Sequence, residues 1–189
     1  MKKQGRFTFL LFHICPTYFS MGPDMTAELR LAEKLAELGI SLPPPPAPKG
    51  VYKPLVMHDR LVYTSGHLPI RPFGELVTGR VGAELDLHAG YEAAMLAGLG
   101  ILASLRKQLG SLDRVRRLVK LFGVVNCTPE FTHHPAVING CSELFAYVFG
   151  PDAGVGVRSA LAAPSLPLGV PVEIEAIFEV EAVFELEAG

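Results

Sequence analysis

Residues 157–180 read VRSALAAPSLPLGVPVEIEAIFEV. The stretch opens on an apolar segment interrupted by one guanidinium, Arg158, breaks at Pro164–Gly169, and ends with glutamates alternating with apolar residues from Glu173. Such alternation is the period of a strand with one face buried and one face wet. A charge inside an apolar run costs free energy unless opposite charge meets it. Two partners can satisfy Arg158: Glu173 or Glu175 in a structural ion pair between strands, or the anionic group of a ligand.

Working outward, PAVINGCSELFAYVFG (135–150) is helical, with Val137, Cys141, Leu144 and Val148 recurring on one stripe. RVRRLVKLFGVVN (114–126) is β-rich and largely apolar, as an interior strand requires. Asp86 caps a long helix that carries Tyr91, Met95, Leu99, Leu102, Leu105 and Leu109 on its buried stripe and stops at Gly110. KPLVMHDRLVYTSG (53–66) makes two short strands about a turn at His58–Asp59. Further strands are expected over 156–162 and 172–185. Ahead of these, TAELRLAEKLAELG (26–39) is an amphipathic helix with Thr26 as N-cap and Gly39 at its end. PPPPAP (43–48) is then a stiff connector separating that helix from the main domain. The expected organisation is a leader over 1–24, a helix and connector over 25–46, and one domain over 47–189. The leader, basic and then aromatic, lacks a signal-peptide cleavage site and is expected to lie disordered outside the fold, with translation starting at Met21 or Met25. The fold class is α+β: a mixed sheet of about six strands, hairpins at its start and end, two helices on one face.

Hydrophobic residues make up 49% of the 189 and the mean hydropathy is +0.32, rich for a monomer. No apolar run reaches membrane-spanning length, so burial between subunits is the expected use of the surplus, and no membrane partner is expected. Net charge is −2, and the densest basic run, Arg106–Lys120, lacks interleaved aromatics, which argues for a solvated face and against a nucleic-acid groove. Three cysteines without CxxC spacing support neither a disulfide framework nor a zinc site, and suit a reducing cytoplasm. His133 and His134 are adjacent with no acid beside them, a poor metal pair.

YTSGHLP (63–69), VNCTPEFTHHPAVINGCSELFAYVFG (125–150) and the opening stretch together resemble the Rid imine deaminases, the YjgF-type proteins, known under an older name as L-PSP endoribonucleases. The resemblance covers about residues 47–182. It implies a chorismate-mutase-like fold, assembly as a homotrimer with ligand clefts between subunits, and hydrolysis of 2-imino acids or their enamine tautomers, such as 2-aminoacrylate, to 2-keto acids and ammonia. It further implies that Arg158 grips the substrate carboxylate, that Glu173 stands near the nucleophilic water, and that Ser65, Gly66, Asn139 and Tyr52 line the cleft. One departure is Ala160, where many active members carry cysteine.

The residues suit that chemistry by themselves. Arginine offers a planar fork that matches a carboxylate and keeps its proton. A partly buried carboxyl group whose pKa is lifted toward neutrality can shuttle the protons of imine hydrolysis, and the sequence suggests no metal, flavin or pyridoxal cofactor. Plainer readings stand beside these. Glu173 shares its parity with Glu175, Glu179 and Glu181, as on any half-solvated strand. Asn139 reads equally as a solvent-facing helix residue, Ser65–Gly66 as a strand-ending turn, Tyr52 as packing and His67 as a surface-loop histidine. A carboxylate-binding sensor without catalysis, and a ribonuclease, are the rival functions.

Overall fold

The computed structural model describes residues 25–48 and 50–181. Its elements in chain order are α1 (Ala27–Leu38), β1 (Leu55–His58), β2 (Leu61–Thr64), α2 (Leu87–Leu109), β3 (Val115–Asn126), α3 (His134–Phe149), β4 (Val157–Ala163) and β5 (Val172–Val180). The expected leader and the continuation of the last strand to Glu185 lie outside the described residues.

The last strand holds the sheet together. In β5, Val172, Ile174, Ala176, Phe178 and Val180 are buried, while Glu173, Glu175, Ile177 and Glu179 face the other way. Helices α2 and α3 cover the apolar face, and among the described residues the opposite face of the sheet carries no helix. The strand order is β1-β2-β5-β3-β4, with β3 and β4 parallel and the other neighbours antiparallel. Among the described residues five strands form, where about six were expected, and β4 and β5 do not pair as the expected hairpin at the end. Because β3 reaches β4 through α3, the two run parallel, as a crossover connection requires. The one free edge of β3 is then taken by β5, which passes to the sheet centre instead of folding back on β4.

The caps sit where the sequence puts them. Asp86 accepts the Ala89 N–H at 2.8 Å, Thr26 accepts that of Leu29 at 3.3 Å, and Gly39 ends α1 at φ 65°. Helix α2 exceeds its predicted stripe. Apart from Met95, every residue from Ala93 to Leu105 is buried, because the helix lies between the sheet and α3. Small residues permit that close approach. At Gly140 a Cβ would overlap the Tyr91 carbonyl oxygen and come within 3.1 Å of the Met95 backbone nitrogen. Backbone cannot rotate away as a side chain can, so Gly140→Ala is expected to cost about 3 kcal/mol. For a chain of this size, thermal unfolding is expected to read that cost as a melting temperature about 6–12 °C lower.

The proline connector does not hold α1 apart from the domain. Leu31 is 1% exposed and belongs to the common core, and α1 packs on α3. Glu28 ties the helix to the end of α2, accepting the Leu112 N–H at 2.9 Å and pairing with Arg106 at 3.3 Å. Cys141 is fully buried on α3, and burial pushes its thiol pKa up, as for a core residue. No helix among the described residues is long and apolar enough to cross a membrane.

Candidate functional site

The predicted site residues fall into two groups. The first gathers where β2 leaves β5. The ladder runs as far as Tyr63 opposite Ile177, resumes as a bridge between His67 and Ile174, and has one more residue on the β2 side in between. Thr64 fills the gap, its hydroxyl accepting the Ala176 N–H at 2.9 Å. The extra residue arches Ser65–Gly66 over the strand, as a bulge does. Ser65 is fastened to Pro54, whose carbonyl accepts both its N–H at 2.8 Å and its hydroxyl at 3.1 Å.

His67 is no surface-loop histidine; it is 1% exposed. Its Nδ1 lies 2.8 Å from the Ser65 carbonyl and its Nε2 2.9 Å from the Ser104 hydroxyl on α2. A carbonyl only accepts, so Nδ1 carries the proton. Burial lowers the pKa of this imidazole and keeps it neutral, against a smaller opposite effect of the Ser65 bond. His67 thus pins the Ser65–Gly66 arch to the core.

Above the arch lies Glu173, half-buried. A Cβ on Gly66 would overlap its carboxyl oxygen and stand 2.7 Å from its carboxyl carbon, so glycine is what leaves that carboxyl group its place. Desolvation, and to a lesser degree the charge of Glu175 two residues on, raise the Glu173 pKa above the usual carboxylate range. Next to the arch is a cavity of about 70 Å³ whose walls include Tyr52, Ser65 and Gly66.

The second group lies on edge strand β4. The expectation of a guanidinium inside an apolar wall does not hold, since Arg158 is exposed and the apolar residues beside it, Val157 and Leu161, are exposed as well. Neither Glu173 nor Glu175 meets it. One terminal nitrogen of Arg158 donates to Asn139 Oδ1 at 2.7 Å and to the Ser142 hydroxyl at 2.9 Å, both on α3, and no carboxylate pairs with it among the described residues. The acceptors are neutral, so they orient the fork without cancelling its charge. Arg158 and Ser142 line a cavity of about 140 Å³. Ser142 escaped the sequence reading, although it stands three residues after Asn139 and therefore on the same helix face. Ala160, two residues beyond Arg158, packs against the edge of the core.

The register separates the two groups. Arg158 pairs with Leu121, which faces the helices, whereas Glu173 pairs with Val124 on the opposite face. Residues paired across a sheet share a face, so within one chain the arginine and the glutamate point to opposite sides. They also lie three ladder positions apart along β3, about 10 Å.

A family model described as "YjgF/chorismate_mutase-like, putative endoribonuclease" matches residues 32–179. Protein TCP17 of Trypanosoma cruzi is 38% identical over 156 residues, which cover 82% of this chain and 98% of that protein. Atu1372, a protein of unknown function from Agrobacterium tumefaciens, aligns with a TM-score of 0.74 at 38% identity, covering 82% of this chain and 96% of the other. RidA from an Antarctic Psychrobacter aligns with a TM-score of 0.52 at 26% identity, covering 74% and 94%. The match takes in all five strands except the last residue of β5, both long helices and both groups of candidate residues, and by it this chain belongs to the YjgF/chorismate-mutase-like family.

Proposed function

We propose that the protein hydrolyses reactive 2-imino acids and their enamine tautomers, such as 2-iminopropionate and 2-aminoacrylate, to 2-keto acids and ammonia, in clefts between the subunits of a homotrimer. The observation that carries the reading is Arg158: a permanent cation aimed by Asn139 and Ser142, paired with no acid among the described residues. A small carboxylate supplies the missing charge in the geometry the fork prefers. Glu173 on the opposite face fits the other requirement, a carboxyl group whose raised pKa favours taking and returning protons. Since one chain turns these groups apart, a neighbouring subunit brings the Glu173 of one chain to the Arg158 of another.

In that cleft water adds to the imine carbon while Glu173 takes one of its protons. The C=N electron pair moves to nitrogen, which accepts that proton and becomes the amine of a carbinolamine. Glu173 next takes the hydroxyl proton as the C=O bond forms, and the C–N bond breaks with proton return to nitrogen, releasing ammonia. Ser65, held by Pro54, keeps acceptor capacity for the water.

The test generates 2-aminoacrylate in situ from serine with a dehydratase and follows ammonia and keto acid. Accelerated release is the expected outcome; binding of pyruvate without acceleration supports a carboxylate sensor instead. Glu175→Gln removes one of the two causes that raise the Glu173 pKa, so the acid limb of kcat/KM is expected to move to lower pH. An unmoved limb removes Glu173 from the proton shuttle. The family's endoribonuclease label draws little from this chain, whose net charge is −2 and whose Arg60 and Arg117 are both held by Glu179. Purified protein is expected to leave RNA intact.

A further inference from the structure

The cavity beside the Ser65–Gly66 arch has features that carboxylate binding and proton transfer leave unused. Besides Tyr52, Pro54 and the arch itself, its walls come from three separate stretches: Pro46 and Pro48 of the connector, Ile70 and Leu76 of the loop after the arch, and Leu168 of the turn before β5. Polar side chains enter through Tyr52, Ser65 and His67, and Gly66 belongs both to this cavity and to the seat of Glu173. No charged side chain lines it.

Leu168 is the unusual member. It sits at φ 57° and ψ 14°, ahead of Gly169 at φ 69°. Turns with positive φ at both central positions take glycine, asparagine or aspartate, because a larger side chain crowds its own backbone there. A leucine in that conformation, 59% exposed, has no local reason to be present. Leu168 does line the cavity. Another part of the wall is a proline run, which has few conformations to lose when a ligand docks.

We propose that this cavity is the side-chain subsite of the reaction, that Leu168 and the Pro46–Pro48 wall are its specificity determinants, and that it selects 2-imino and 2-keto acids with a short unbranched aliphatic side chain over the methyl of pyruvate. The proposal rests on the deaminase reading for its placement next to Glu173. A volume of about 70 Å³ has room for a short side chain, since about 10–15 Å³ of such space already holds one water-sized group. Each methylene buried there raises affinity about fourfold. A second carboxylate at the end of the side chain finds no counter-charge in the walls and is rejected.

Calorimetric titration with pyruvate, 2-oxobutanoate, 2-oxopentanoate and 2-oxoglutarate reads the subsite without catalysis. Turnover of the imines that an amino-acid oxidase makes from alanine, 2-aminobutyrate and norvaline reads it with catalysis. Affinity is expected to rise about fifteenfold from pyruvate to 2-oxopentanoate and to fall below that of pyruvate for 2-oxoglutarate. In Leu168→Gly, which suits the backbone better than leucine does, the fifteenfold ratio is expected to shrink to about fourfold or less. Leu168→Asn, also at ease at positive φ, shrinks it likewise. A chain-length gradient that depends on Leu168, with no imine turned over, upholds the subsite and overturns the deaminase. Imine turnover with no gradient, or with one unchanged in both variants, overturns the subsite and leaves the deaminase standing. Failure of every keto acid to bind, with no imine turned over, overturns both.

Discussion

Replacing Arg158 with alanine is expected to lower kcat/KM for 2-iminopropionate by about a thousandfold while the melting temperature stays within about 2 °C of the parent. A charge-assisted hydrogen bond is worth about 1.5–3 kcal/mol, so a two-pronged grip on a carboxylate amounts to two to four powers of ten. Stability is spared because the side chain is exposed on an edge strand and its protein partners, Asn139 and Ser142, are neutral groups that water can satisfy. Lysine at the same position keeps the charge and loses the fork, so Arg158→Lys is expected to recover only part of the loss. Pyruvate binding by Arg158→Ala should fail alongside turnover. An alanine variant with parental kinetics would mean that the guanidinium serves the edge strand and not a ligand.

Gly66→Ala is the second large effect, and it separates function from folding in another way. Gly66 does not occupy the positive-φ region, so alanine suits the backbone there. The atoms its methyl group would strike belong to the outer half of the Glu173 side chain, a flexible group that swings aside at little cost. The fold is therefore expected to survive with its melting temperature nearly unchanged. The carboxyl group, however, leaves the position from which it serves the water. Losing a positioned general base typically costs 10²–10⁴ in rate, and kcat is expected to drop into that range, matching Glu173→Gln. Because both substitutions remove the same positioned group, the double variant should be no slower than either single one. Additive losses would show that Gly66 acts by some other route, such as contact with the substrate through its own backbone.

Local periodicity made most of the fold readable. Glutamates alternating with apolar residues from Glu173, the stripe of α3 and the caps Asp86 and Thr26 depend on residues two to four apart, and each was found where the spacing places it. Family resemblance, carried by the stretch around Arg158, added residue roles that spacing alone left open. Other features depended on long-range packing. His67 read as a loop residue because nothing near it in sequence says that Ser104 on α2 reaches it. Arg158 read as embedded because its neighbours are apolar, yet those neighbours lie on an edge strand and are exposed in the single chain. The proline run read as a spacer, although Leu31 anchors α1 in the common core and Pro46 and Pro48 wall the cavity beside Gly66.

Residue order alone says which segments are helix or strand, which face of each is apolar, and which residue types are equipped to hold a carboxylate and move a proton. That β5 enters between β2 and β3, and with that order which side of the sheet each charge faces, emerges from the folded chain. The reason is physical. Side-chain period is a property of a strand alone, whereas pairing partner and register are set by β3 having one edge closed by β4 and one left open, a condition that exists only once the chain has folded back on itself.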